Sequence, residues 1–239
     1  MFPLVIFLKN RNQHLIEWMD KPDADPELLS NTYLQFDRIN KLLSGWDKIY
    51  REYIKPIIRS SATVSILDIG CGGGDIIRYL YELSRNDGFE TEFTGIDPDR
   101  RSIEFVTKSE WPEGVTFHAK KAEDLVKEEQ AFDIVISNHL MHHLKNDQLT
   151  SMCRVAAQLA KKRVLFSDIE RNAAGYLCFQ LAAPLLFRNS YIVEDGLISI
   201  KKSFRKSELE PLLPSGWSVQ RKFPFRLIAT LSKTGACDA

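Results

Sequence analysis

From Val64 to Asp168 the chain alternates short apolar runs with stretches of helical periodicity, and this alternation constrains the fold more than any other feature. Val64–Asp68, Phe93–Asp97, Val115–His118, Phe132–Ser137 and Arg163–Asp168 read as strands, and Phe132-Asp-Ile-Val-Ile-Ser is apolar on both faces. Between them, Asp75–Leu83 sets Ile76, Ile77, Leu80 and Leu83 on one helical face, and Asn146–Leu159 reads as a further helix. Strands buried on both faces and separated by helices define a parallel sheet covered on both sides. The tail breaks the rhythm. After a helix expected over Phe204–Leu213, two strands around Trp217 and Phe225–Thr230 are joined by the short Lys222-Phe-Pro-Phe link, which suggests an antiparallel pair at the sheet edge.

The first sixty residues differ. Asp20–Pro26 is rich in turn formers, and Pro26 with Asp25 as N-cap opens a helix carrying Leu28, Leu29, Tyr33, Phe36, Ile39, Leu42 and Leu43. A second helix follows through Ile49, Tyr53 and Ile57. Residues 1–60 are therefore read as a helical cap and 61–239 as the main domain. Segment 171–203, with the apolar helix Ala173–Phe187, is expected to contribute to an acceptor pocket.

Composition removes several classes. Equal numbers of basic and acidic residues, 32 each, give no global field toward nucleic acid or an acidic membrane. Four scattered cysteines without a CxxC pair argue against a disulfide framework or a thiolate zinc site. The expected compartment is reducing and cytoplasmic. The apolar run Phe2–Leu8 lacks the flanks of a signal peptide, and no apolar stretch is long enough to span a bilayer. A basic set, Lys201, Lys202, Arg205, Lys206, Arg221, Lys222 and Arg226, marks the last third and reads first as a solvated face.

The chemistry concentrates in Ile66-Leu-Asp-Ile-Gly-Cys-Gly-Gly-Gly-Asp75, where a strand turns into a helix. In an open parallel sheet a ligand binds beyond the carboxyl ends of the strands, and glycines let the backbone approach it. Neither the dinucleotide fingerprint nor the P-loop fits. Asp75 stands where the former needs its third glycine, and no Gly-Lys-Ser/Thr follows. Instead Asp68 precedes the glycines, which suits a cationic amino group, and Asp97 ends the second strand, where a carboxylate can take both ribose hydroxyls. A nucleoside without phosphates is specified, and S-adenosylmethionine fits.

These motifs, with Ala122-Glu-Asp-Leu125 and Phe132–Leu144, resemble those of the Rossmann-like S-adenosylmethionine-dependent methyltransferases. The resemblance covers residues 60–170. The N-terminal Glu17-Trp-Met-Asp, Asp25–Leu29 and Arg38-Ile-Asn40 look like a small-molecule branch of secondary metabolism acting on quinol, phenol or polyketide-like acceptors. It implies a doubly wound, mostly parallel seven-stranded sheet with an antiparallel edge strand. It implies that Asp68, Gly70, Gly72 and Gly74 hold the methionine part, with Cys71 as a small filler among them. Asp97 would hold the ribose, Pro98, Ala122 and Glu123 the adenine, and Asn138 would lie near the methionine moiety. Lys121 stands where many relatives carry an Asp for the adenine amino group.

His139, His142 and His143 follow the fourth strand. They fit a base, a metal site or a structural helix opening. His139 and His143 are the candidates for catalysis, and no metal is expected. The expected partner is a small-molecule acceptor methylated at a hydroxyl. RNA or protein acceptors, and a non-catalytic cofactor-binding module, stay open as alternatives, as does a monomer or homodimer. DNA is disfavoured: Ser137-Asn-His-Leu replaces the Pro-Pro-aromatic motif of amino-methylation, and no Pro-Cys occurs.

Overall fold

The computed structural model describes residues 8–233. The run Phe2–Phe7 and Cys237 lie outside the described residues, as do the side chains of Leu42 and Leu43. Seven strands form one sheet: β1 (Thr63–Ile69), β2 (Glu90–Ile96), β3 (Val115–His118), β4 (Phe132–Asn138), β5 (Ala160–Ile169), β6 (Trp217–Lys222) and β7 (Arg226–Ser232). Their order is β3-β2-β1-β4-β5-β7-β6. The first five pair in parallel, and β7 runs antiparallel to both β5 and β6, so the hairpin read from the tail forms one border of the sheet. The order reverses between β1 and β4, and a doubly wound sheet opens its ligand crevice at that point.

The helices are α1 (Pro26–Leu43), α2 (Trp46–Ile49), α3 (Lys55–Arg59), α4 (Asp75–Asn86), α5 (Arg100–Val106), α6 (Ala122–Lys127), α7 (Asn146–Leu159), α8 (Ala173–Leu186), α9 (Ile192–Lys202) and α10 (Lys206–Leu209). A π-helical turn, Tyr50–Ile54, joins α2 to α3. Asp25 caps α1 as its sequence position predicts: Oδ1 accepts from the backbone N–H groups of Glu27 and Leu28 at 2.9 and 3.0 Å. The helix expected over Phe204–Leu213 shortens to α10 and a 3-10 turn, Glu210–Leu212, because Pro211 withholds a backbone donor.

Strand periodicity divides the core in two. Val64, Ile66, Ile134, Ile136 and Leu165 face Ile76, Ile77 and Leu80 of α4. Leu67, Ile69, Val135, Val164 and Phe166 face Leu149, Cys153, Ala156 and Leu159 of α7. Trp46, Ile49, Tyr50, Ile54, Ile57 and Ile58 belong to the first of these cores. The stretch from Trp46 to Ile58 therefore covers the sheet itself, and the segment lying over the crevice is the shorter part before it, residues 8–45.

Candidate active site

The carboxyl ends of β1, β2 and β4 open into a cavity of about 530 Å³, within the range that accommodates small ligands. Its floor is the glycine loop. The N–H groups of Gly70 and Cys71 both donate to the Ile96 carbonyl, at 2.8 and 3.1 Å, and pin the loop to the end of β2. Asp97 stands at that same end. Its Oδ2 accepts from Gly72 N–H at 3.1 Å and its Oδ1 from Asp99 N–H at 2.9 Å, so the carboxylate is fixed with lone pairs to spare. Cys71 is buried among core residues, and burial pushes its thiol well up, so it is a filler and not a nucleophile.

Asp68 is only 1% exposed, and neither carboxylate oxygen has a hydrogen-bond partner. Burial, with Asp75 and Asp97 nearby, pushes its carboxyl well above the usual range. Asp75, at the start of α4, is raised to about 6, chiefly by burial. Asn40 of α1 donates to Asp75 at 2.6 Å and faces Asn138 at 3.4 Å, so the overlying helix reaches the floor. A buried carboxylate without a partner is costly, and a ligand ammonium in the cavity would relieve it.

Gly74 plays a different part from Gly70 and Gly72. It lies outside the cavity lining, at φ +75°, and a Cβ there would come within 2.9 Å of the Trp111 ring. Left-handed backbone costs a residue with a Cβ about 1–2 kcal/mol. Gly74→Ala is therefore expected to lower stability by roughly 2–3 kcal/mol in denaturant unfolding, because Trp111 must also move. Ala122 and Glu123 also lie away from the cavity: Ala122 is buried in the α7-side core, and Glu123 is exposed on the first turn of α6. Gly74, Ala122 and Glu123 are not among the residues that line this cavity. Asp68, Gly70, Cys71, Gly72, Asp97, Pro98, Asn138, His139 and His143 do line it.

The three histidines separate into three environments. His142 is 1% exposed. Its Nδ1 lies 2.7 Å from Asp168 Oδ1 and its Nε2 3.2 Å from Glu17 Oε1. Burial opposes its charge, but the two carboxylates prevail and raise it to about 9, so it is an imidazolium locked between acids. His139 takes a left-handed φ of 62°, and its Nε2 accepts from the Arg226 guanidinium at 2.6 Å. Burial and Arg226 hold it neutral, well below its ordinary range. With Nε2 accepting from Arg226, its proton sits on Nδ1, and His139 is a hydrogen-bond donor there. His143 is half-buried at the cavity, with Nδ1 3.1 Å from both Lys202 Nζ and Asp20 Oδ2.

Ligating atoms of Glu17, His142 and His143 lie within 4.8 Å of one another. The Lys202 ammonium stands among them, 3.0 Å from Glu17 Oε1, and supplies there the positive charge that a metal would bring.

Residues 8–25 and α8–α9 form the roof. Asp195 of α9 accepts from Trp18 and Met19 N–H at 2.6 and 3.0 Å, and burial raises its carboxyl to about 7. Arg101 donates to the Met19 and Lys21 carbonyls at 3.0 and 2.9 Å. Helix α8 contributes Gly175, Cys178, Phe179 and Ala183 to the cavity, while Leu177, Leu181 and Leu185 are exposed on its outer side. No helix among the described residues is long and apolar enough to cross a membrane. The basic set of the last third is not one solvated face: Arg221 is exposed, and Lys201, Arg205, Lys206 and Lys222 are half-buried. Lys202 and Arg226 are buried, Arg221 pairs with Glu170 at 2.7 Å, and Lys222 pairs with Glu52 at 2.7 Å.

Residues 66–163 match a family of methyltransferase domains. The match spans 98 of the 239 residues, and the seven-stranded fold and the phosphate-free nucleoside motifs around it are similar to those of the S-adenosylmethionine-dependent methyltransferases. The chain's relatives include the ubiquinone biosynthesis O-methyltransferase of Hydrogenovibrio crunogenus, 28% identical over 208 residues that cover 80% of this chain and 78% of that protein. The protein of the same name from Photorhabdus laumondii is 31% identical over 149 residues, which cover 60% of this chain but only 58% of the relative. Among solved structures, the plantazolicin methyltransferase BamL, in complex with a triazolic desmethylPZN analog and SAH, shares the fold. Its TM-score is 0.64 at 18% identity, covering 97% of this chain and 98% of that one.

Proposed function

We propose that this protein transfers the methyl group of S-adenosylmethionine to a hydroxyl of a small, partly apolar acceptor of phenolic, quinol or polyketide-like kind. The observation that carries the reading is the partnerless, buried Asp68 carboxylate on the floor of a cavity whose upper wall is apolar. Phe36, Ile39, Phe179, Ala183 and Phe187 suit an acceptor with a hydrocarbon body. The names of the ubiquinone biosynthesis relatives support oxygen as the receiving atom and a quinol as the class.

The bound cofactor would supply an electrophilic methyl group on a sulfonium. The chain's own part is orientation and shelter. Asp68 and the Gly70 and Gly72 backbone would hold the amino-acid end, and Asp97 the ribose hydroxyls. Pro98 would flank the adenine, and Asn138 would lie beside the methionine moiety. His143 would accept the hydroxyl proton, with Asp20 beside its ring as the partner that steadies the imidazolium. The roof of residues 8–45 and 171–203 would exclude water and hold the acceptor in line. In this reading residues 61–239, joined by the helices from Trp46 onward, form the catalytic domain.

An RNA acceptor has less support, since Lys202 and Arg226 are buried and Arg221 and Lys222 pair with Glu170 and Glu52. The test is transfer from methyl-labelled S-adenosylmethionine into cell extract split into small-molecule, RNA and protein fractions. Label in an organic-soluble small molecule is expected. Label confined to RNA or protein would overturn the proposal.

A further inference from the structure

Arg226 is 4% exposed, and its segment Pro224–Arg226 lines the cavity. It opens β7, three strands from β1 in the sheet order, which at a strand spacing of about 4.8 Å is roughly 14 Å from the Asp68 strand. Its side chain reaches back toward the end of β4. One terminal nitrogen donates to His139 Nε2 at 2.6 Å. The other donates to Asn138 Oδ1 at 2.6 Å and Ser167 Oγ at 2.7 Å. All three partners are neutral, and the Nε–H has none.

Asp168, the carboxylate whose charge acts on Arg226, makes its hydrogen bonds elsewhere: Oδ1 to His142 Nδ1 and the Ile169 N–H, at 2.7 Å each, and Oδ2 to the His142 N–H at 2.9 Å. Glu17 serves Lys202 and His142, and Glu170 serves Arg221. What remains at this end of the cavity is a buried cation, and beside it a neutral His139 with its Nδ1–H free to donate. A buried guanidinium whose hydrogen bonds all go to neutral groups, with Asp168 acting on it only through its charge, is costly to retain. His139 is moreover held at a positive φ, a strain that such sites carry for a purpose.

We infer that Arg226 and His139 form an oxyanion subsite, which takes the acceptor by an ionised oxygen carried on an apolar ring. The inference rests on the methyl-transfer reading for its setting, and it names an ionised oxygen on the acceptor distinct from the hydroxyl whose proton His143 would take. Phenolate and aryl carboxylate share the chemistry: negative oxygen on an apolar ring, met by the charge of Arg226 and the His139 donor it holds in place. Within the cavity, Asp68 at one end and Arg226 at the other then set opposite preferences, ammonium on the first side and oxygen anion on the second.

The test uses the full chain with S-adenosylhomocysteine present and three probes: 4-nitrophenol, 4-nitrobenzoate and uncharged nitrobenzene. At a pH near the midpoint of free 4-nitrophenol, binding should draw up the visible phenolate band. At least one of the two anions should bind about tenfold or more tightly than nitrobenzene, the factor that one unit of ionisation constant represents. Which anion is preferred separates a phenolic from a carboxylic acceptor. Arg226→Gln should remove the preference while S-adenosylhomocysteine affinity stays, and His139→Gln should reduce it. If Arg226→Gln does not fold, Arg226→Lys should retain part of the preference, and the wild-type comparison of charged and uncharged probes still decides. Equal binding of charged and uncharged probes, no binding of either anion, or a preference unchanged in Arg226→Gln would overturn the subsite. Loss of the subsite with label transfer intact leaves the methyl-transfer reading standing, and absence of label transfer removes that reading independently.

Discussion

Replacing Asp97 by Ala is expected to weaken S-adenosylmethionine binding by about 100-fold, the equivalent of roughly 2.7 kcal/mol. The size follows from the geometry. The Asp97 carboxylate is oriented by Gly72 and Asp99 N–H groups and keeps free lone pairs for two ribose hydroxyls. Each hydrogen bond to a charged group contributes about 1.5–3 kcal/mol, and the loss of two is partly offset by water. The loop would also loosen, because Gly72 loses its acceptor. Asp97→Asn keeps the shape and one acceptor oxygen, so it should fall between the wild type and Asp97→Ala. Calorimetric titration reads all three. A loss within about twofold for Asp97→Ala would show that the ribose is held elsewhere.

The second large effect is on stability. Glu17→Gln should destabilise the fold by about 3–5 kcal/mol, since it leaves the buried Lys202 ammonium and the His142 imidazolium facing a neutral amide. In a chain of this size that is roughly 10 °C in the thermal midpoint. The effect should be larger than for Asp20→Asn, whose side chain is 39% exposed and whose link to Lys202 is 3.9 Å. The same cluster sets a pH window. His142 is raised from 6.5 to about 9, so its contribution is complete below 6.5 and is lost as the pH climbs through about 9. Glu17 and Asp168 are depressed below the usual carboxylate range by the cationic groups beside them. Their contributions are present above the unfolded carboxylate range and are lost in strong acid. Stability should therefore be greatest in mildly acidic to neutral solution and fall on both sides. The alkaline fall should be smaller in Glu17→Gln, because His142 then loses one of the carboxylates that raise it. An alkaline limb of the same size in both proteins would contradict the assignment.

How much of this was legible in the sequence depends on how local each feature is. The glycine loop, Asp68 and Asp97 sit at strand ends, where a short motif and the parallel topology together dictate what the backbone presents. Asp25 and Pro26 announce a helix start within two residues, and the structure shows that cap. The cluster around His142 has no such signature. Glu17, His142, Asp168 and Lys202 come from four separate segments, and none is periodic with its neighbours. Lys202 and Arg226 were read with a basic face because charge alone suggests solvent. In Arg226 a signal was present: it opens Arg226-Leu-Ile-Ala-Thr230, an apolar strand with little room for a solvated side chain. The helices before residue 60 pack in two places for a physical reason. Trp46–Ile58 carries a run of large apolar residues that only a sheet face could bury, and the structure places it there.

The most direct measurement of the central claim, that Asp68 receives the ammonium of S-adenosylmethionine, is calorimetric titration of the cofactor in two buffers of different ionisation enthalpy. Burial, with Asp75 and Asp97 nearby, raises Asp68 well above the usual carboxylate range, and a cation arriving beside it would lower it again. Binding should release protons, affinity should weaken as the pH falls, and both signals should diminish in Asp68→Asn. Binding without proton release, or an Asp68→Asn protein that binds the cofactor as the wild type does, would contradict it.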